Sequence, residues 1–144
     1  LIENIKTNNF RNIRVFCLAL SDVNKSTHLA MGNFSAGAGG NSLSQTDVLS
    51  NGFHQPILTY RLDHLISEFA LPKPNYLKID VDGLEPLVLR GAISTLKNVE
   101  TLLIEIEKEV LSSHKEELVT FLSSLNFQCE DEINDKKRNY IFKK

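Results

Sequence analysis

Cysteine is scarce in this chain. Cys17 and Cys129 are the only two among 144 residues, too few for a disulfide framework and without the spacing of metal ligands. Cys17 lies in the apolar run Val15-Phe16-Cys17-Leu18, so it reads as a buried, inert thiol. Long hydrophobic runs are lacking too. No segment approaches the roughly 18–20 apolar residues of a membrane helix, and no signal peptide is visible, which leaves cytoplasmic residence as the default expectation. Neither sign of charge dominates, and a net charge of −2 gives no reason to expect nucleic acid or an anionic membrane as partner. His28, His54, His64 and His114 share no close spacing and argue against a metal site; His54 alone borders a polar stretch from which it could approach a substrate. A dinucleotide-type glycine loop is missing as well. Gly37-Ala38-Gly39-Gly40 is not G-x-G-x-x-G, and it does not sit between a strand and a helix.

What is present fits one α/β domain. Hydrophobic residues make up 42% and charged residues 24%, ordinary for a globular chain, and this length buries roughly 68–70% of its unfolded surface. The pattern predicts an opening helix over residues 1–9, a strand over 13–20 and a shorter one over 26–31. Residues 32–52 form a polar stretch rich in Gly, Ser and Asn, too long for an ordinary connection; it is either a substrate-side lid or disordered. Residues 57–62 alternate as a strand does, and Asp63 is placed to cap a short helix reaching residue 70. Ser113-His114-Lys115-Glu116 is a capping-box pattern ahead of Leu118, Phe121, Leu122 and Leu125 at helical spacing. Residues 127–130 and 139–143 read as two strands joined by an acidic turn. The basic residues Lys136, Lys137, Arg138, Lys143 and Lys144 read as a solvated hairpin and tail. There are no internal repeats.

The most informative stretch is residues 76–92, YLKIDVDGLEPLVLRGA. Residues 76–79 are a short, mostly apolar strand bounded upstream by Pro72 and Pro74. Beyond Gly83 the apolar positions Leu84, Leu87, Val88, Gly91, Ala92 and Leu96 recur at helical spacing, with Pro86 in the first turn, where its missing N–H is not needed. A second apolar strand over 101–107 follows. Strand, helix, strand of this kind is a βαβ unit with two adjacent parallel strands. Ligands bind at the carboxyl ends of such strands, where Asp80 and Glu105 fall. Lys78 shares strand parity with Asp80; a lysine in a buried strand needs a partner, most simply a carboxylate in the cleft. Asp82 is placed to order the turn or the helix start, and Glu85 lies in the first helical turn, where negative charge suits the dipole.

Residues 77–92 resemble the signature of FkbM-type methyltransferases, of the form L-K-I-D-V-E-G-x-E-x-x-V-L-x-G-A, with Asp82 where the signature has Glu. Tyr60-Arg61-Leu62-Asp63-His64-Leu65 is similar to that family's lead-in, Leu102-Leu103-Ile104-Glu105-Ile106 to its next strand, and Ala19-Leu20-Ser21-Asp22 to an earlier strand end. The resemblance implies a Rossmann-like fold dependent on S-adenosylmethionine (SAM), with a mostly parallel sheet and a C-terminal antiparallel hairpin. It also implies that the strands carrying the cofactor's glycine-rich loop precede this part of the domain, so the chain reads as a single, N-terminally truncated methyltransferase domain. By the same resemblance, Asp80 and Glu105 are the expected catalytic residues and Ser21, Asp22 and Asp80 the expected cofactor contacts. The acceptor would be a hydroxyl on a sugar, lipid or natural-product scaffold. Glu107 stands where many members carry His.

Two other readings fit parts of the chain. A truncated domain could be a non-catalytic remnant. Asp80-Val81-Asp82-Gly83 also resembles the D-x-D-G opening of magnesium-dependent haloacid-dehalogenase-type phosphatases. Leu84 replaces the Thr those enzymes carry, however, and the motif lies mid-chain.

Overall fold

The computed structural model describes residues 1–31, 42–43, 53–106, 108–134 and 137–144. Along the chain these form α1 (Ile2–Thr7), β1 (Ala19–Leu20), β2 (Lys25–Met31), β3 (Ser42–Leu43), β4 (Phe53–Tyr60), α2 (Leu62–Glu68) and β5 (Tyr76–Ile79). They continue with α3 (Glu85–Arg90), α4 (Ile93–Leu96), β6 (Thr101–Glu105), α5 (Lys108–Ser124), β7 (Gln128–Cys129) and β8 (Asn139–Lys143). The lid-or-disorder expectation for residues 32–52 falls outside the described residues except for β3, which pairs antiparallel with β2.

The α/β class holds, but the sheet is not mostly parallel. Two mixed sheets form, in the orders β1-β4-β2-β3 and β5-β6-β8-β7. Among the described residues only β1 with β4 and β5 with β6 are parallel. The cause is the long antiparallel pairing of β2 with β4, which runs from Lys25↔Thr59 to Met31↔Phe53 and turns that region into a hairpin rather than a crossover. The βαβ unit is present as expected, with Tyr76↔Thr101 through Ile79↔Ile104 in register. So is the C-terminal hairpin of β7 and β8, laid antiparallel on β6.

The second sheet is covered on one face. Ile79, Leu102, Ile104, Tyr140 and Phe142 are buried there against Val88, Leu89, Ala92 and Leu96 of the α3–α4 region and Leu118 and Leu122 of α5. The opposite face carries Tyr76, Lys78 and Asp80 and stays open, with Tyr76 74% exposed. Lys78 is therefore not a buried lysine; β5 is only half covered.

Other boundaries move for local reasons. The strand expected over 13–20 shrinks to β1, because the ladder with β4 reaches only Ala19 and Leu20. Upstream, Phe16 and Leu18 pack on the core while Ile13, Val15 and Cys17 face outward. Cys17 is thus exposed rather than buried: its apolar neighbours alternate sides, and it falls on the wrong one. Helix α5 begins at Lys108, so Ser113 lies inside it and is not its cap. Lys137, Arg138, Lys143 and Lys144 are exposed, as expected of a solvated hairpin and tail, and Lys144 is also anchored. Lys144 donates to the carbonyls of Leu96 and Lys97 at the end of α4 (2.7 and 2.9 Å), where the dipole favours a cation, and its ammonium lies 4.8 Å from the centroid of the Phe127 ring.

The helix predicted after Gly83 breaks into α3 and α4 at Gly91-Ala92, and the break is held from outside. Asp63 does not cap the helix it begins. Its carboxylate instead accepts from the Ser94 and Thr95 amides (2.9 and 2.7 Å) and from the Thr95 hydroxyl (2.7 Å), capping α4 across the fold. The Asp63 amide donates to Gly91 O at 3.1 Å. A Cβ on Gly91 would stand 2.0 Å from the Ser21 carbonyl oxygen and 3.3 Å from Arg61 Cα. Gly91→Ala should therefore force backbone apart and cost about 1–3 kcal/mol or more, and Asp63→Ala about 0.5–2 kcal/mol. Urea midpoints would fall with m unchanged; a Gly91→Ala protein as stable as the parent would refute the contact.

Candidate active site

Parallel register brings the ends of β5 and β6 together. Ile79 pairs with Ile104, so the next residues, Asp80 and Glu105, lie side by side on the open face, within hydrogen-bonding reach. Each carboxylate has its own cation: Lys78 Nζ sits 2.9 Å from Asp80 Oδ2, and Arg138 Nη2 sits 2.8 Å from Glu105 Oε1. Lys78 and Asp80 stand on one strand and Glu105 on its neighbour, so the four charges form two adjoining ion pairs. Two neighbouring carboxylates repel, and their cations offset that repulsion. The hydrogen bond from Lys78 is the main reason the Asp80 carboxyl is held below its usual range; partial desolvation works the other way, and the charge of Lys78, the contact with Glu105 and the charge of Arg138 lower it further. Reciprocally, the bond to Asp80 and its charge raise the Lys78 ammonium.

Beyond Asp80 the chain turns sharply. Asp82 (φ 48°) and Gly83 (φ 91°) both take left-handed backbone, which Gly adopts freely and Asp tolerates better than most residues. Asp82 thus shapes the turn through its backbone. The Gly83 amide donates to Glu85 Oε1 at 3.1 Å. Glu85 is 0% exposed, and among the described residues its Oε2 has no hydrogen-bond partner. Glu85 is in the first helical turn, as expected, and is folded under the turn that follows Asp80. Its position two residues after the turn glycine was the only sequence signal.

Ser21 and Asp22 lie together at the end of β1, on the other sheet. Ser21 is buried; its amide donates to Tyr60 O at 2.9 Å and its hydroxyl to Asp22 Oδ1 at 3.2 Å. Asp22 is partly exposed and pairs with Arg90 Nε at 3.7 Å, while Arg90 Nη1 reaches Glu117 Oε1 at 3.6 Å. Sequence reasoning missed Arg90, which ties the β1 end to the helical layer, and Arg138, which sits beside Glu105 only because β8 returns antiparallel to β6. Glu107 lies outside the described residues. An apolar cleft of about 400 Å³ between α3 and α5, lined by Pro86, Leu89, Arg90, Glu117, Leu118 and Phe121 among others, includes none of Ser21, Asp22, Asp80 and Glu105. Among the described residues no cluster of three or more His, Cys, Asp or Glu could hold a metal ion, and no helix is long and apolar enough to cross a membrane.

The methyltransferase FkbM domain family matches residues 3–129. This chain belongs to the FkbM methyltransferase family. It is similar to the hexuronic acid methyltransferase AglP of Haloferax volcanii, 30% identical over 118 residues, covering 73% of this chain and 49% of that protein. The chain thus spans about half the length of that curated relative. No solved structure matches.

The Lys78–Asp80 pair has a testable pH signature. Because Asp80 is lowered on folding, its contribution is present above the unfolded carboxyl value of about 3.9 and is lost as pH falls through the folded value. Because Lys78 is raised, its contribution holds below about 10.4 and fades as pH rises through the folded value. Lys78→Met should flatten the acid limb of thermal stability, and NMR titration should show Asp80 moving upward. An unmoved Asp80 would mean the pair does not form in solution.

Proposed function

We propose that this site serves SAM-dependent O-methylation of a hydroxyl on a small-molecule or glycan acceptor, with Asp80 and Glu105 as the residues that act on that hydroxyl. The observation carrying this reading is the pairing of the two carboxyl groups at the carboxyl edge of adjacent parallel strands, within the stretch that resembles the family signature. Family membership supports methyl transfer. Among sugars, lipids and natural-product scaffolds, the named activity of the haloarchaeal relative favours a sugar. On the same reading, the two mixed sheets are parts of one Rossmann-like arrangement.

The residues suit the cofactor's chemistry at two places. The partly exposed Asp22 offers a carboxylate to the amino group of an adenine, with buried Ser21 beneath it donating its hydroxyl to that carboxylate. Asp80, kept ionised by Lys78, offers negative charge to a sulfonium. SAM, held there, would supply a methyl carbon on sulfur for in-line displacement by an acceptor oxygen. The protein's part is alignment and proton management. Asp80, held low, is a weak proton acceptor and a good aligning charge. Glu105 beside it, less exposed, orients the hydroxyl and takes its proton.

Asp80→Asn should lower kcat by about 10²–10⁴-fold with the fold intact and no more than the small contribution of the exposed Lys78 pair lost from stability, since Asn keeps the shape of the side chain. Single-turnover methyl transfer beside a melt decides this, and near-normal turnover would remove Asp80 from the site. The chain should also bind SAM weakly when titrated alone, because its sequence contains no G-x-G-x-x-G loop to hold the methionine end. Micromolar affinity by calorimetry would contradict that.

A further inference from the structure

We propose that Glu85 is a positioning residue: from beneath the turn it fixes where Asp80 stands, and it does so at the expense of the fold's stability. The inference rests on the reading above that Asp80 acts on an acceptor hydroxyl, and it adds what aims that carboxylate.

The turn is the first argument. Asp80 is the first residue past β5, and shortly beyond it the consecutive residues Asp82 (φ 48°) and Gly83 (φ 91°) take left-handed backbone. At a non-glycine residue such as Asp82 that conformation is costly, and it persists only where the surroundings over-determine it. Glu85 does so. Its Oε1 accepts from the Gly83 amide at 3.1 Å, and its own root is fixed in α3, ahead of Pro86 and the buried Val88 and Leu89. Val81 and Asp82 alone separate Asp80 from the held glycine. A turn free to relax at Asp82 would carry Asp80 away from Lys78 and Glu105.

The second argument is the other oxygen of the same carboxyl group. Glu85 is wholly buried, and among the described residues its Oε2 has no hydrogen-bond partner. Burying a carboxyl group with half of its hydrogen bonding unmet is unfavourable. Gly83, by contrast, is only half-buried, so water can serve its amide if Glu85 is replaced. Val88 and Leu89 lie three and four residues on, along the same helical face, and both are buried. An unbranched apolar side chain at position 85 would pack beside them at least as favourably as Glu does. Stability therefore does not call for Glu here. What Glu adds is an acceptor under the turn, which is the kind of support a site needs to hold its groups rigidly.

The test compares Glu85→Gln, which keeps a side-chain acceptor, with Glu85→Met, which keeps the length and loses the acceptor. Both remove the same carboxyl group, so an effect of charge moves the two alike and an effect of the turn bond separates them. Thermal melts of the chain should place both variants at or above the parent. In NMR titration of the chain, the Asp80 carboxyl should rise toward its ordinary range in Glu85→Met, as contact with Lys78 and Glu105 is lost, and stay low in Glu85→Gln. In the full-length protein, Glu85→Met should lower kcat about 100-fold, the scale of a misplaced reacting group, with the acceptor KM unchanged, and Glu85→Gln should recover most of that loss. A Glu85→Met protein melting well below the parent would make Glu85 an ordinary stabilising residue. An Asp80 titration that moves alike in the two variants, or in neither, would show that the turn does not aim it. Either result, or equal kcat in parent and both variants, would overturn the proposal. A full-length parent that transfers no methyl group counts against the methylation reading alone, because the melts and the Asp80 titration decide the positioning without transfer.

Discussion

The position of the helical layer over the second sheet depends on one close approach, the Gly91 backbone against the Ser21 carbonyl. Nothing larger than hydrogen fits there, and Asp63 closes the contact from the other side by binding Gly91 O, the Ser94 amide and both the amide and hydroxyl of Thr95. Three separated sequence segments meet at this point: the end of β1, the start of α2 and the junction of α3 with α4. The first sheet is thereby fastened to the helices that cover the second. Thr59 reinforces the same corner: buried in β4, it donates to Val23 O at 2.8 Å, while Asn24 Oδ1 accepts from the Arg61 amide at 2.8 Å.

The family-like signature therefore divides by physics. Gly91 and Ala92 are scaffold: they make the junction with Asp63, which lies outside the signature, or fill the core beneath it. Gly83 and Glu85 shape the turn, the one through left-handed backbone and the other by accepting the turn's amide. Only Lys78 and Asp80 present charged side chains to the open face. A motif that is continuous in sequence thus serves three tasks in space. The residues nearest the chemistry are a minority of those that define the motif, as expected where a site must be held rigidly by its surroundings.

Much of this was legible in the chain. The βαβ unit over residues 76–105 follows from apolar runs separated by a helical period, and the C-terminal hairpin from two short strands around an acidic turn. What escaped depends on partners distant in sequence. Alternation across residues 13–18 is real, yet β4 reaches only Ala19 and Leu20, so most of the expected strand has no ladder. Asp63 carries the signal of a helix cap, but nothing local says that it caps α4 rather than α2. The antiparallel union of β2 and β4 spans the long polar segment between them, and composition there does not fix the direction of return. Arg138 was invisible for the same reason: thirty-odd residues separate it from Glu105, and only the return of β8 makes them neighbours.

That return also explains why the candidate site lies on the uncovered face. Along β6, Leu102 and Ile104 turn inward and pair in register with Phe142 and Tyr140, so Leu103 and Glu105 must turn outward. By the same alternation Ile79 is drawn in and Lys78 and Asp80 are put out. The apolar requirement of the core thus fixes the facing of these charges. A one-residue slip of β5 against β6 would bury Asp80 and expose Ile79, at the cost of desolvating a carboxylate. Register, not local propensity, is what makes the end of this sheet a place where two carboxylates can meet a substrate.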